Sequence, residues 1–400
     1  MSKISKAIEK YLQNYAEPEA HSLENLAQLP ERKYALVIPA YKEGIGFVER
    51  LTQHPQAHNI CLILVVNEPE NREISQENTN LLQALSLSRY GDQNIRMVQR
   101  DDLVIVLISR CHPNNAIPDK QGVGLARKVG CDVACALIQS AKIKQPWIYS
   151  SDADAHLPGN YFVAEPPANV SAATYEFQHI APSDDTILHA TLIYERCLRY
   201  YRQQLQAAGS PYAHHALGSC LAVSMSHYCQ ARGFPKRSAG EDFYLLNKLA
   251  KLGPIERRGS IIELDARDSG RVPFGTGPAA RSIAEKLANN EPITYYDPRI
   301  FKELEHVLAA TPALWAKRHS SSLLLIDCLS GLPELSQRAL EEAGIENFLH
   351  SRFAQDKHQD AFTEHFHAWF DAFRTLKFIH FLQAHNYPPV VITDIFNTTL

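Results

Sequence analysis

The feature that most limits what this chain can fold into is a series of short, nearly uninterrupted apolar runs: Tyr34 to Ile38, Ile60 to Val66, Leu103 to Ile108 and Trp147 to Ser150. Runs of this kind, rich in β-branched residues, read as strands buried on both faces. Between the third and fourth, Leu125, Val129, Val133, Leu137 and Ala141 recur every four residues, the apolar stripe of a helix. Strands that alternate with helices predict an α/β fold with a largely parallel sheet flanked by helices. Past Asp154, strand-like runs near Ala172 to Phe177, Leu217 to Ser224 and Ser260 to Leu264 are interleaved with helical spacing near Leu188 to Ala208 and Asp242 to Leu252, so the sheet becomes mixed there.

From about Ala279 onward the apolar spacing is helical almost throughout, as in Arg281 to Asn289, Pro298 to Ala309 and Ala361 to His385. The chain therefore divides into an N-terminal helix over 1–32, an α/β domain over 33–278 and a helical C-terminal extension over 279–400. The loop Asp265 to Pro278, rich in Gly and Pro, joins the last two and is a candidate hinge or lid.

A net charge of -4 gives no broad electrostatic reason to bind nucleic acid or an anionic membrane surface. No stretch reaches the roughly 20 apolar residues that a bilayer core demands, so no transmembrane segment is expected. The opening residues mix charges through their apolar positions and lack the apolar middle of a signal peptide. Eight scattered cysteines without a CxxC pair fit reduced thiols and a cytoplasmic protein, with peripheral attachment to the inner face of a membrane left open. The oligomeric state is not legible.

The fourth apolar run ends in Ser150-Ser151-Asp152-Ala153-Asp154-Ala155-His156. In extended backbone residues i and i+2 point to one side, so Asp152 and Asp154 make a hard, anionic oxygen site where a buried strand emerges. Mg2+ or Mn2+ is commonly held by one or two carboxylates plus substrate phosphates. The bland alternative is a solvated turn in which the acids cap the following segment.

The company this triplet keeps resembles a family 2-type glycosyltransferase with the GT-A fold, over about Lys33 to Gly277. Val37-Ile38-Pro39-Ala40-Tyr41-Lys42-Glu43 is similar to the family's V-I-P-x-Y-N-E opening, with Lys42 where Asn is usual. The resemblance implies that Pro39, Tyr41 and Glu43 line a nucleotide pocket. Asn67 falls where the family carries an acidic turn against the base, which leaves uridine and guanosine donors open. Lys120-Gln121-Gly122-Val123-Gly124-Leu125-Ala126-Arg127 is similar to the family's N-x-G-x-x-x-A-R helix start. It implies that Lys120, Gly122 and Arg127 serve the nucleotide or the metal-binding acids, and the periodicity puts Arg127 opposite Leu125 and Val129. Gly218-Ser219-Cys220, Gly233-Phe234 and Ala239-Gly240-Glu241-Asp242 resemble the acceptor-side segment that ends in an E-D pair before a helix.

What the resemblance implies is a metal-dependent transfer of a sugar from a UDP- or GDP-linked donor to a hydroxyl-bearing acceptor. Asp152 and Asp154 hold Mg2+ or Mn2+, with Asp152 also touching the donor. Asp242 or Glu241 takes the acceptor proton while the other caps the helix. Arg271, in the Gly-rich loop, contacts the diphosphate. Two other readings stand beside this one: a sugar-phosphate nucleotidyltransferase, and a non-catalytic nucleotide-sugar-binding protein. The first normally opens with a Gly-rich basic loop where this chain has Pro39 to Glu43.

Overall fold

The apolar runs become the middle of a nine-stranded sheet. The computed structural model describes residues 3–26, 28–85, 94–162, 167–180, 185–267, 275–319 and 328–396. They form two units, the first comprising Met1–Thr191 and Ala216–Arg281, the second Leu192–His215 and Ser282–Leu400.

In the first unit the strands are β1 (Tyr34–Ala40), β2 (Ile60–Asn67), β3 (Ile95–Arg100), β4 (Leu103–Arg110), β5 (Trp147–Ser150), β6 (Ala155–His156), β7 (Ala172–Ile180), β8 (Leu221–Ser224) and β9 (Ile255–Asp265). The helices are α1 (Lys3–Asn14), α2 (Gly46–Thr52), α3 (Gln76–Ala84), α4 (Gly122–Gln139), α5 (Asp185–Ala207), α6 (Met225–Gln230), α7 (Glu241–Leu249) and α8 (Thr276–Ala288), of which α5 and α8 run into the second unit. The sheet order is β3-β4-β2-β1-β5-β8-β7-β9-β6. The neighbours β4, β2, β1 and β5 run parallel, and β8 and β6 join antiparallel, giving the mixed sheet expected past Asp154, whereas the antiparallel edge strand β3, before Asp154, was not expected. Both β1 and β2 are buried at every residue, which is why they read as unbroken apolar runs.

From β1 the chain moves outward to β2 and β4, then returns through α4 to β5 on the other side of β1. This reversal opens a crevice at the carboxyl ends of β1 and β5, the place where open α/β sheets bind ligands. The crossover helix α4 lies tight on the sheet: a Cβ on Gly130 would come within 2.4 Å of Val37 Cγ1. Every residue of α4 from Gly124 to Leu137 is buried, so the helix is not the one-faced element that its apolar stripe suggests. The other faces are covered partly by α1, whose Tyr11 shares the core with Leu26, Leu29 and Tyr228.

The second unit is helical, as the C-terminal periodicity predicts. It contains α9 (Pro298–Ala309), α10 (Thr311–Ala316) and later helices over Glu334–Glu342, Ile345–Gln355, Gln359–Trp369 and Ala372–His385. The two-residue strands Thr294–Tyr295 and Val390–Val391 pair antiparallel, an element the spacing did not signal. Its core is aromatic, with Phe348, Phe362, Phe366, Phe370 and Phe378 packed together. Asp297 and Asp371 accept the backbone N–H of Arg299 and Arg374, capping two of these helices. Among the described residues no helix is long and apolar enough to cross a membrane.

Candidate active site

Segments far apart in sequence converge on one buried guanidinium. Arg127, on α4, donates through Nε to Glu241 Oε1 at 2.9 Å and through Nη2 to Asp152 Oδ1 at 2.7 Å. Its Nη1 donates to Ser150 Oγ at 3.0 Å and to the carbonyls of Ser151 and Gly218, each at 3.2 Å. The end of β5, the segment before β8 and the start of α7 are thereby tied to one charge. Gly218 is required here, because a Cβ would lie 2.6 Å from the guanidinium carbon. A residue that sequence periodicity placed opposite the apolar stripe is thus buried, and its charge is offset by carboxylates on two elements.

The acid pair does not sit on extended backbone. Ala155 N donates to Asp152 O at 3.2 Å, closing a turn, and the two acids take different partners. Asp152 meets Arg127, while Asp154 Oδ2 lies 2.9 Å from Arg267 Nη2. The turn is held from three more directions: Arg50 Nη2 donates to Ala153 O at 2.8 Å, Ser151 N to Val37 O at 3.0 Å, and Asp265 N to Asp154 O at 3.0 Å. Burial, reinforced by the nearby charges of Asp152 and Glu43, pushes Asp154 up to about 6 although Arg267 pulls it down.

Among the described residues no three His, Cys, Asp or Glu side chains form a ready-made metal site. Mg2+ and Mn2+ do not need one when substrate phosphates complete the shell. Each acid gives one oxygen to its arginine, Asp152 Oδ1 and Asp154 Oδ2, and the other oxygen of each remains for a cation. The hard, anionic donor set fits such an ion.

Glu241 and Asp242 open α7 after Gly240, whose φ of 71° only glycine adopts readily. Their roles separate. Glu241 is committed to Arg127, whereas Asp242 accepts backbone N–H groups from Gly218 at 2.8 Å and Phe243 at 2.6 Å. Burial first, then the neighbouring Glu241 charge, raises Asp242 to about 7. A carboxyl of that kind exchanges its proton near neutrality.

Pro39 is buried in β1 opposite Val65, and its missing N–H lies on the side where β5 has already ended. Tyr41 is half-buried with Lys42 Nζ 5.4 Å over its ring. Lys42 has a φ of 56°, a conformation Asn tolerates better than Lys. Glu43 is bound by Arg267 Nη1 at 3.0 Å and Nη2 at 2.7 Å. Asn67 turns its amide nitrogen inward, onto Ala40 O at 3.0 Å and Val65 O at 3.2 Å, so only Oδ1 is left for a base. Gly122 has a φ of 40°, and a Cβ there would lie 2.6 Å from Ser238 Cα. Its neighbour Gly124 donates its N–H to Arg237 O at 2.9 Å, so the glycines at this helix start admit protein backbone. Lys120 is exposed in the preceding turn and belongs to no ion pair among the described residues. Arg271 lies outside the described residues.

Sequence reasoning missed Arg50, Arg267 as an acid partner, and a buried polar junction beside Asn67. There Asn78 donates to Asn67 O at 2.7 Å and to Glu68 Oε2 at 2.8 Å, and accepts from Lys42 N at 3.0 Å. An Asn and a Glu inside otherwise ordinary segments carry no spacing signal.

No family model and no curated protein matches the chain. Among solved structures it is similar to mannosyltransferase PcManGT from Pyrobaculum calidifontis in complex with GDP-Man and Mn2+. The identity is 14%, the alignment covers 93% of this chain and 96% of that one, and the TM-score is 0.39. The likeness is too loose to assign chemistry to residues.

Proposed function

We propose that the chain is a divalent-metal-dependent glycosyltransferase with a GT-A fold of the family 2 type, moving a sugar from a UDP- or GDP-linked donor to a hydroxyl acceptor. One observation carries the reading: Asp152, just after β5, and Glu241, which opens α7, converge on Arg127, beside the crevice between β1 and β5. A nucleotide in that crevice would meet Tyr41 along its base or ribose and Asn67 Oδ1 as an acceptor. Glu43 accepts from a ribose once its arginine yields.

Asp152 and Asp154 would hold Mg2+ or Mn2+, which supplies positive charge against the leaving diphosphate. Arg127 orients Asp152 and holds Glu241 beside it. Asp242 takes the proton of the acceptor hydroxyl on its carboxylate, because Glu241 is already spent on Arg127. Arg271 remains the proposed contact to the diphosphate. Residues 33–278 would carry the transfer, with 279–400 as a helical extension.

Calorimetry with UDP and GDP tests the metal, and binding is expected with Mn2+ but not in chelator. A panel of nucleotide sugars in a thermal-shift measurement with Mn2+ identifies the donor by the rise in midpoint that a native-state ligand produces. Equal nucleotide affinity in chelator would overturn the metal assignment.

A further inference from the structure

We propose that Arg267 is an internal counter-ion that competes with the divalent cation for Asp154 and so couples cation uptake to diphosphate binding. The inference rests on Asp152 and Asp154 being the metal pair. Arg267 bonds both oxygens of Glu43, at 3.0 and 2.7 Å, and touches Asp154 Oδ2 at 2.9 Å. All its described contacts are to these acids. Arg127 differs, since it is buried and also bonds two backbone carbonyls and a serine hydroxyl, which fix it in place.

Of the two guanidiniums that neutralise the acid turn, only the Arg267 group can therefore leave without breaking backbone contacts. A cation arriving at Asp154 meets a like charge within a few ångströms, and like charges at that range repel. With the metal alone, the guanidinium loses its Asp154 contact and gains nothing. With a diphosphate present it gains phosphate oxygens that match its geometry. Cation and diphosphate then favour each other, and the coupling is reciprocal.

Titration of Mn2+ by its paramagnetic resonance signal, with and without UDP or GDP, tests this. Wild-type protein should bind Mn2+ weakly alone and at least about tenfold more tightly with the nucleotide, within the usual range of coupling. Arg267→Gln should bind Mn2+ alone about tenfold more tightly than wild type and show weaker coupling, keeping the part that direct phosphate ligation of the cation supplies, whereas Arg267→Lys, which keeps the charge, should stay close to wild type. The proposal is overturned if Arg267→Gln binds Mn2+ alone no more tightly while nucleotide binding still requires Mn2+. It is equally overturned if wild type shows no coupling, a measurement that needs no variant. Failure of every protein to take up Mn2+ even with nucleotide would sink the metal reading itself, and this inference with it.

Discussion

The Arg127 guanidinium lies 2.7 Å from Asp152 Oδ1 and 2.9 Å from Glu241 Oε1, so one buried charge holds a carboxylate from each side of the candidate site. Removing it leaves Glu241 buried without its partner, and leaves Asp152, whose side chain is 32% exposed, unpaired beside it. Arg127→Ala should cost about 3–5 kcal/mol of stability, as breaking a buried pair does. Arg127→Lys, which keeps the charge but loses the planar fork, should cost less. Urea unfolding of the two variants measures the difference, and equal costs would mean that charge without the planar fork contributes nothing.

The guanidinium keeps its place only because Gly218 has no side chain. A Cβ there would lie 2.6 Å from Arg127 Cζ, whereas one on Gly259 would meet nothing within 4 Å. Gly218→Ala should therefore destabilise by about 1–3 kcal/mol, the usual range for overpacking. Gly259→Ala should stay within about 0.5 kcal/mol of wild type. Because the displaced arginine orients Asp152, Gly218→Ala should also lower donor affinity, read by calorimetry with Mn2+ and nucleotide.

Asp242 gives the site its pH dependence. Its carboxyl is raised to about 7, first by burial and then by Glu241, against about 4 for an unperturbed Asp. Between those values the folded state holds a proton that the unfolded state has released, so stability falls as pH rises through that window. Asp242→Asn stays neutral, and its stability relative to wild type should grow between about pH 4 and pH 7 by about 3 kcal/mol. Sugar transfer by wild type should rise through the same upper limit, since only the ionised carboxylate accepts a proton. The variant should bind donor but not turn over. Thermal unfolding and initial rates across pH check both halves, and full turnover by the variant would reject Asp242 as the base.

How much of this was legible in the sequence depended on the range of each interaction. Strands β1, β2, β4 and β5 announce themselves because both their faces are buried, which forces unbroken apolar runs. The helical second unit follows from local periodicity in the same way. The turn after Asp152 was legible only as one of two alternatives, since the backbone contacts that hold it come from Arg50 and Asp265, remote in sequence. The Gly122 and Gly124 pair was legible as a close approach but not for what approaches, because Ser238 and Arg237 arrive from beyond β8. The separate duties of Glu241 and Asp242 depended on Arg127 choosing one of them, which no spacing encodes.

Beside Arg127 on α4, Lys128 faces the other way and anchors the N-terminal segment. Its Nζ donates to Asp132 Oδ2 at 2.7 Å, Tyr11 OH at 2.8 Å and Tyr15 O at 2.8 Å. Asp132 is fully buried and also accepts from Tyr228 OH at 3.0 Å and Glu17 N at 2.8 Å. Burial raises its carboxyl above the ordinary value even with Lys128 present to pull it down. Lys128→Met should therefore cost about 3–5 kcal/mol at neutral pH, because Asp132 must either stay charged without its partner or take up a proton. Without the lysine the folded-state value rises further, so the folded variant binds a proton that the unfolded chain releases, and its stability falls as pH increases. The deficit relative to wild type should then shrink as pH falls. The double variant Lys128→Met, Asp132→Asn should be more stable than Lys128→Met alone at pH 7, because the charge that lost its partner is gone. Urea unfolding of all three proteins at pH 7 and 4.5 checks this, and a deficit independent of pH would show that Lys128 acts through packing rather than through its charge.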